Sequence, residues 1–196
     1  ERAEIAGDAI RKKESKEEKD KIMSVSDTDA RMMGKKENDV VPSYKSHLAM
    51  TANRFITYTD VSLATIYDGH HSYNTICDLK SRGFNVPMAV GDTHFGDISF
   101  REDMQQQNTQ VVAPYRKNQA MNSCLIDYMM IEAWAYNHTD EYKTHKKIRS
   151  YIEPKQGEMK NLHGMKRARF RGLQKIRVQN YMSAIVTNCK RMMIAS

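Results

Sequence analysis

The strongest constraint on the fold is a change of apolar period that repeats between residues 44 and 113. Tyr44 to Ala52 alternates in part, through Tyr44, His47 or Leu48, and Met50, and Phe55 to Thr65 alternates better, being rich in β-branched and aromatic side chains such as Phe55, Ile56, Tyr58 and Val61. Asn53-Arg54 between them predicts a β-hairpin. Ser72 to Arg82 then takes helical spacing through Tyr73, Ile76, Cys77 and Leu79, and Gly83 supplies a C-terminal stop. Val86 to Val90 is an apolar run of buried-strand length leading into Gly91-Asp92. Ile98 to Gln107 reads as a short helix, and Gln110 to Ala113 as another buried strand closed by Pro114. Helix and strand alternating in this order imply parallel strands joined by crossovers, so the class is α/β.

The flanks are plainer. Residues 1 to about 23 are mostly charged and predict a helix without a wide apolar stripe. Ser24 to Pro42 reads as a loop. Asn118 to Asp140 is apolar and aromatic and is expected to be partly strand or irregular, with Trp134 in the core. Tyr142 to Lys160 is helical in character, with a kink or a new start near Pro154. Gly164 and Gly172 punctuate a basic loop. Leu173 to Met193 predicts a final helix with Leu173, Ile176, Asn180, Met182, Ala184, Ile185 and Met192 on its apolar side.

At 196 residues and 40% hydrophobic, the chain suits one domain with a single core. Its mean hydropathy of -0.72 and the lack of any long apolar run exclude a bilayer-spanning segment, and no apolar signal-peptide core opens the chain. Cys77, Cys124 and Cys189 are scattered, so they predict neither a disulfide framework nor a metal site; small buried hydrophobes in a reducing cytoplasm are the expectation. The net charge of +7 is unevenly placed. From Tyr142 onward fourteen Lys and Arg face only Glu153 and Glu158, an excess of twelve that leaves the preceding residues at −5. Such a segment favours a polyanionic partner, nucleic acid above all, over a merely solvated face.

Two carboxylates stand out. Asp92 falls where a buried parallel strand would end, the place where ligand groups gather in open α/β sheets, although a lone Asp there also reads as a turn or helix cap. Glu153 lies in the basic helical tract, where alone it reads as an ion-pair partner. His70-His71 suggests a polar turn or helix start rather than a zinc site, for want of a third ligand at metal spacing.

Spacing changes the weight of these residues. Arg149, Glu153 and Lys160, separated by three and six residues, resemble the Tyr-2-Arg-3-Glu-6-Lys signature of one large group of DDE transposases of bacterial insertion sequences, with Lys146 where that signature has Tyr. Around them, His163-Gly-Met-Lys-Arg-Ala-Arg-Phe-Arg-Gly-Leu-Gln-Lys175 is similar to the basic loop of that family. Ala184-Ile-Val-Thr-Asn188 with Lys190-Arg191 resembles its closing helix. Asp92-Thr-His-Phe95 resembles its Asp-x-Gly-Tyr element, with His94 and Phe95 as departures, and Ser26-Asp-Thr-Asp-Ala-Arg31 a stretch that precedes its hairpin. The resemblance runs from about residue 24 to the end.

What the resemblance implies is an RNase H-like mixed sheet carrying three acids, with Asp92 the second and Glu153 the third. They would hold two Mg²⁺ ions, or Mn²⁺ in their place, that clamp an in-line displacement at phosphorus during DNA cleavage and strand transfer. Arg149, Lys160, Lys166, Arg167, Arg169 and Arg171 would contact the phosphates of transposon ends and target. A homodimer is a further expectation from it, while the cytoplasmic location and the absence of a membrane partner are the expectations from cysteine usage and hydropathy. The first acid has no counterpart on a convincing strand before Ser24, so residues 24–196 are expected to form the domain without its first strand, and residues 1–23 the end of an insertion or linker. A truncated or partial copy is therefore expected, one that binds DNA and is catalytically inactive being the alternative.

Overall fold

The computed structural model describes residues 3–6, 9–12, 25–34, 40–66, 68–114 and 128–195. It is a mixed α/β fold whose strands form three groups. Strands β1 (Ala3–Ala6) and β2 (Ala9–Lys12) pair antiparallel. Strands β3 (Arg31–Met33), β4 (Val41–Met50) and β5 (Ile56–Leu63) form an antiparallel sheet in that order. Strands β6 (Met88–Val90) and β7 (Gln110–Val112) pair in parallel, Ala89 opposite Val111. The helices are α1 (Asp68–Ser81), α2 (Ile98–Gln106), α3 (Tyr128–Asn137), α4 (Asp140–Arg149), α5 (Ile152–Leu162) and α6 (Leu173–Ala195).

The hairpin, α1, α2 and the parallel pair lie where the change of period puts them, but only α2 is a crossover, between β6 and β7, since β5 and β6 belong to different sheets. The β4–β5 turn closes through bonds from Arg54 N–H to Thr51 O and from Thr51 N–H to Phe55 O, both 2.9 Å, with Arg54 at φ 67°. Helix α1 ends on Gly83 at φ 85°, whose N–H bonds Lys80 O while Phe84 N–H reaches back to Leu79 O. Where the charged opening tract suggests a helix, residues 3–6 and 9–12 instead hold the β1–β2 pair; without an apolar stripe, a helix there has little packing to draw on. The remainder of that tract lies outside the described residues. The loop expected over Ser24 to Pro42 contains β3, which pairs Arg31 with Ser43.

The apolar stretch before Asp140 is a helix from Tyr128, not strand, and residues 118–127 lie outside the described residues. Two apolar clusters hold the fold rather than one core. Ile76, Phe100, Met104, Val111 and Ala113 join α1 and α2 to the parallel pair, and Ile56, Met159 and Ala184 join β5 to α5 and α6. Trp134, expected in the core, is outside both clusters and 53% exposed. Cys189 is exposed and Cys77 half-buried, contrary to the expectation of buried thiols; Cys124 lies outside the described residues.

Candidate nucleic-acid interface and acidic site

Strand β6 runs into Gly91 and Asp92, and a short 3₁₀ turn, Thr93–Gly96, follows. Gly91 is required because the Phe95 ring lies over it: a Cβ there would stand 2.4 Å from Phe95 Cδ2. Asp92 caps the turn, its Oδ1 accepting the His94 N–H at 2.8 Å, with His94 Nδ1 at 3.4 Å from the same oxygen. The turn is fastened from behind by Arg101, which is 8% exposed. Its guanidinium donates to Gly96 O at 3.4 Å, Val111 O at 3.2 Å and Ala113 O at 3.1 Å, tying the turn to the end of β7, and burial lowers its pKa.

Glu153 is the second residue of α5 and 61% exposed at its side chain. A carboxylate in the first turn suits the positive end of the helix. Its Oε1 accepts from Arg149 Nη2 at 3.2 Å, so the pair spans the break at Ser150–Tyr151 between α4 and α5. Pro154 sits one residue further into α5, where its missing N–H costs nothing. Lys160 is exposed in the last turn. Asp92 and Glu153, the carboxylates expected to hold metal ions, lie on different elements, the turn after β6 and the first turn of α5. Among the described residues no three His, Cys, Asp or Glu side chains form a group that could hold an ion, and both carboxylates have protein partners of their own.

The basic loop between α5 and α6 is the more finished construction. Lys166, Arg167, Arg169 and Arg171 are all exposed, and among the described residues none has a carboxylate at salt-bridge distance. Gly164 at φ 77° lets the chain turn at the start of the loop, with the Arg169 guanidinium against it. At its end, Gly172 N–H bonds Asp27 Oδ1 at 3.2 Å and the Tyr44 hydroxyl oxygen at 3.1 Å, and Leu173 N–H bonds Asp29 Oδ2 at 2.8 Å. Two carboxylates thus cap α6 from a segment far away in sequence. Tyr44 donates its hydroxyl to Asp27 at 2.5 Å; burial and that bond push its pKa up to about 12.

Helix α6 lies on β5 through polar side chains. Arg177 Nε and Nη2 meet the Asp60 carboxylate at 2.7 and 3.4 Å, buried Asn180 donates to Thr59 Oγ1 at 2.6 Å, and Asn188 both accepts from Ile56 N–H and donates to Ile56 O. His71, stacked on His47 at 3.6 Å, closes on the other side of Asp60. The face expected to be apolar and inside is divided: Ile176, Asn180 and Ala184 are buried, whereas Met182, Ile185 and Met192 are 55–61% exposed. Small Ala184 packs with Ile56 of β5, and the amides of Asn180 and Asn188 meet the strand's polar groups.

Sequence reasoning alone does not single out Asp27, Asp29, Gln179 or Glu158 as residues that shape the site. Asp-x-Asp just before a strand and a lone Gln amid basic residues carry no local signal, because their partners lie elsewhere in the chain.

An exposed basic loop held against the last helix favours a polyanionic ligand. The profile of the transposase DDE domain family matches residues 10–189, and the chain belongs to that family. No curated protein and no solved structure gives a match.

Proposed function

We propose that the chain is part of the transposase of a bacterial insertion sequence, of the group with the Tyr-2-Arg-3-Glu-6-Lys signature, an enzyme that acts on DNA as a polynucleotidyl transferase. Residues 24–196 are its RNase H-like unit, with residues 1–23 as the end of an insertion or linker. The observation that carries the DNA reading is the loop of residues 163–172 with four exposed cations that have no carboxylate at salt-bridge distance among the described residues. Family membership supports the transposase reading and DNA as partner. Lys166, Arg167, Arg169 and Arg171 bind backbone phosphates, joined by Lys160 and Arg149, and transposon ends and target are the ligands. Asp92 and Glu153 are the second and third acids. Mg²⁺, or Mn²⁺ in its place, is the cofactor of the whole catalytic centre, and the working form is a homodimer.

A second reading is DNA binding without cleavage. It is favoured by Arg149, whose guanidinium holds the Glu153 carboxylate at 3.2 Å.

The test measures duplex DNA binding and divalent-metal binding by calorimetry on the chain and on three variants. Arg167→Ala with Arg169→Ala is expected to weaken DNA binding at least tenfold and to flatten its salt dependence, because each lost phosphate contact removes about 0.9 from the slope. Asp92→Ala and Glu153→Ala are each expected to abolish metal binding. DNA binding indifferent to the double variant would overturn the DNA reading; DNA binding with no metal binding would select the second reading.

A further inference from the structure

The loop of residues 163–172 is costly to order, at roughly 1–2 kcal/mol of backbone entropy per residue, and recovers little by burial. Lys166, Arg167, Ala168, Arg169 and Arg171 are exposed, Phe170 is 50% exposed, and Met165 alone packs against an apolar cluster. What holds the loop is hydrogen bonding to its backbone, and Gln179 is its centre. From the second turn of α6, Gln179 Nε2 donates to Gly164 O at 2.8 Å and to Arg167 O at 2.9 Å, while its Oε1 accepts the Arg169 N–H at 3.0 Å. Ser183, one helical turn on, donates to His163 O at 2.9 Å.

The chemistry of this clamp is selective. It needs two donors and an acceptor on one planar head, which an uncharged amide supplies; a carboxylate could only accept and an ammonium only donate. Every bond of Gln179 to the loop goes to main chain, so the cationic heads keep their full hydrogen-bonding capacity. The clamp shapes the loop without neutralising it.

We infer that Gln179 is a positioning residue for DNA binding. It touches no DNA, but it fixes the Gly164–Arg169 backbone so that Lys166, Arg167 and Arg169 meet phosphates together, with the ordering cost met before the ligand arrives. The inference rests on the DNA reading above and deepens it.

The test compares the chain with Gln179→Met, which keeps length and loses all three bonds, and with Gln174→Met, an exposed position on the same helix, as control. Duplex affinity is measured over a series of salt concentrations, with amide exchange at Arg169 followed by NMR. Gln179→Met is expected to free the Arg169 amide and reduce the slope of log K against log salt by about 2, two phosphate contacts' worth, with net charge unchanged. Affinity should fall about tenfold at low salt, and Gln174→Met should match the parent. A residue that only supported the fold would lower the melting temperature and leave the slope intact, and that outcome overturns the inference. Should the Arg167→Ala, Arg169→Ala pair weaken DNA binding while Gln179→Met does not, Gln179 loses its role and the DNA reading stands. Should neither matter, the DNA reading itself fails.

Discussion

Glu158 collects three cationic partners at one carboxylate: Lys155 at 2.9 Å, Lys190 at 3.2 Å and His163 at 3.4 Å. Burial alone would raise its pKa, yet the bonds from Lys155, Lys190 and His163 outweigh it and bring the pKa from 4.5 down to about 2. A depressed carboxyl stabilises the fold fully above the unfolded value of 4.5 and loses that contribution as pH falls toward 2. Glu158→Gln is therefore expected to cost about 2 kcal/mol at neutral pH, the order of a hydrogen bond to a charged group. The gap between parent and variant should close between pH 4.5 and 2 when followed by urea unfolding. A gap constant across that range would remove Glu158 from the network that ties α5 to α6. The same scale explains why Glu153 and Glu158, the two acids of the basic tract, behave differently. One is exposed with a single Arg partner across a helix break, and the other is shielded and triply bonded.

At the scale of elements, α6 is organised from outside itself. Its first amide is bonded by Asp29, and the glycine before it by Asp27 and Tyr44. Asp29→Ala is expected to cost about 1 kcal/mol, the usual worth of a helix cap. Gly172→Ala should cost roughly 1–2 kcal/mol through its positive φ of 86°. Thermal unfolding of each variant checks both, and a Gly172→Ala protein as stable as the parent would contradict a left-handed backbone at that residue. Periodicity made the hairpin, α1, α2 and the parallel pair legible, because β5, α1, α2 and β7 bury apolar residues of their own spacing, among them Val61, Ile76, Met104 and Val112. It failed for α6, where Asn180 at 1% and Thr187 at 0% exposure point in while Met182 and Ile185 point out. There the helix answers to polar groups of β5, and such a demand comes from a partner strand more than a hundred positions away. The site divides likewise. Asp92, Glu153 and the basic loop were visible as residue types at intervals, whereas the clamps that fix their geometry were not, since Asp29–Leu173 and Gln179–Gly164 are contacts between distant segments.

Across the whole molecule, the parallel pair with α1 and α2 has its own apolar cluster, and the hairpin with α5 and α6 has another. Arg101 supports the Asp92 turn within the first, and Gln179 and the Asp27–Asp29 pair support the basic loop within the second. Among the described residues no helix is long and apolar enough to cross a membrane, so the outward Val178, Met182, Ile185 and Met192 of α6 form a surface stripe rather than a span.

That stripe gives the helix a chemical reporter. Met182, Met192 and Met193 are 60–79% exposed, while Met104, Met130 and Met159 are at most 2% exposed. Thioether sulfur takes up oxygen from peroxide according to its access. Dilute peroxide followed by peptide mass spectrometry is expected to convert the three outward methionines to sulfoxides well before the three inward ones. The helix would then carry polar sulfoxides along a side now lined with thioethers, and any macromolecule seated there would be recorded as methionines left unoxidised.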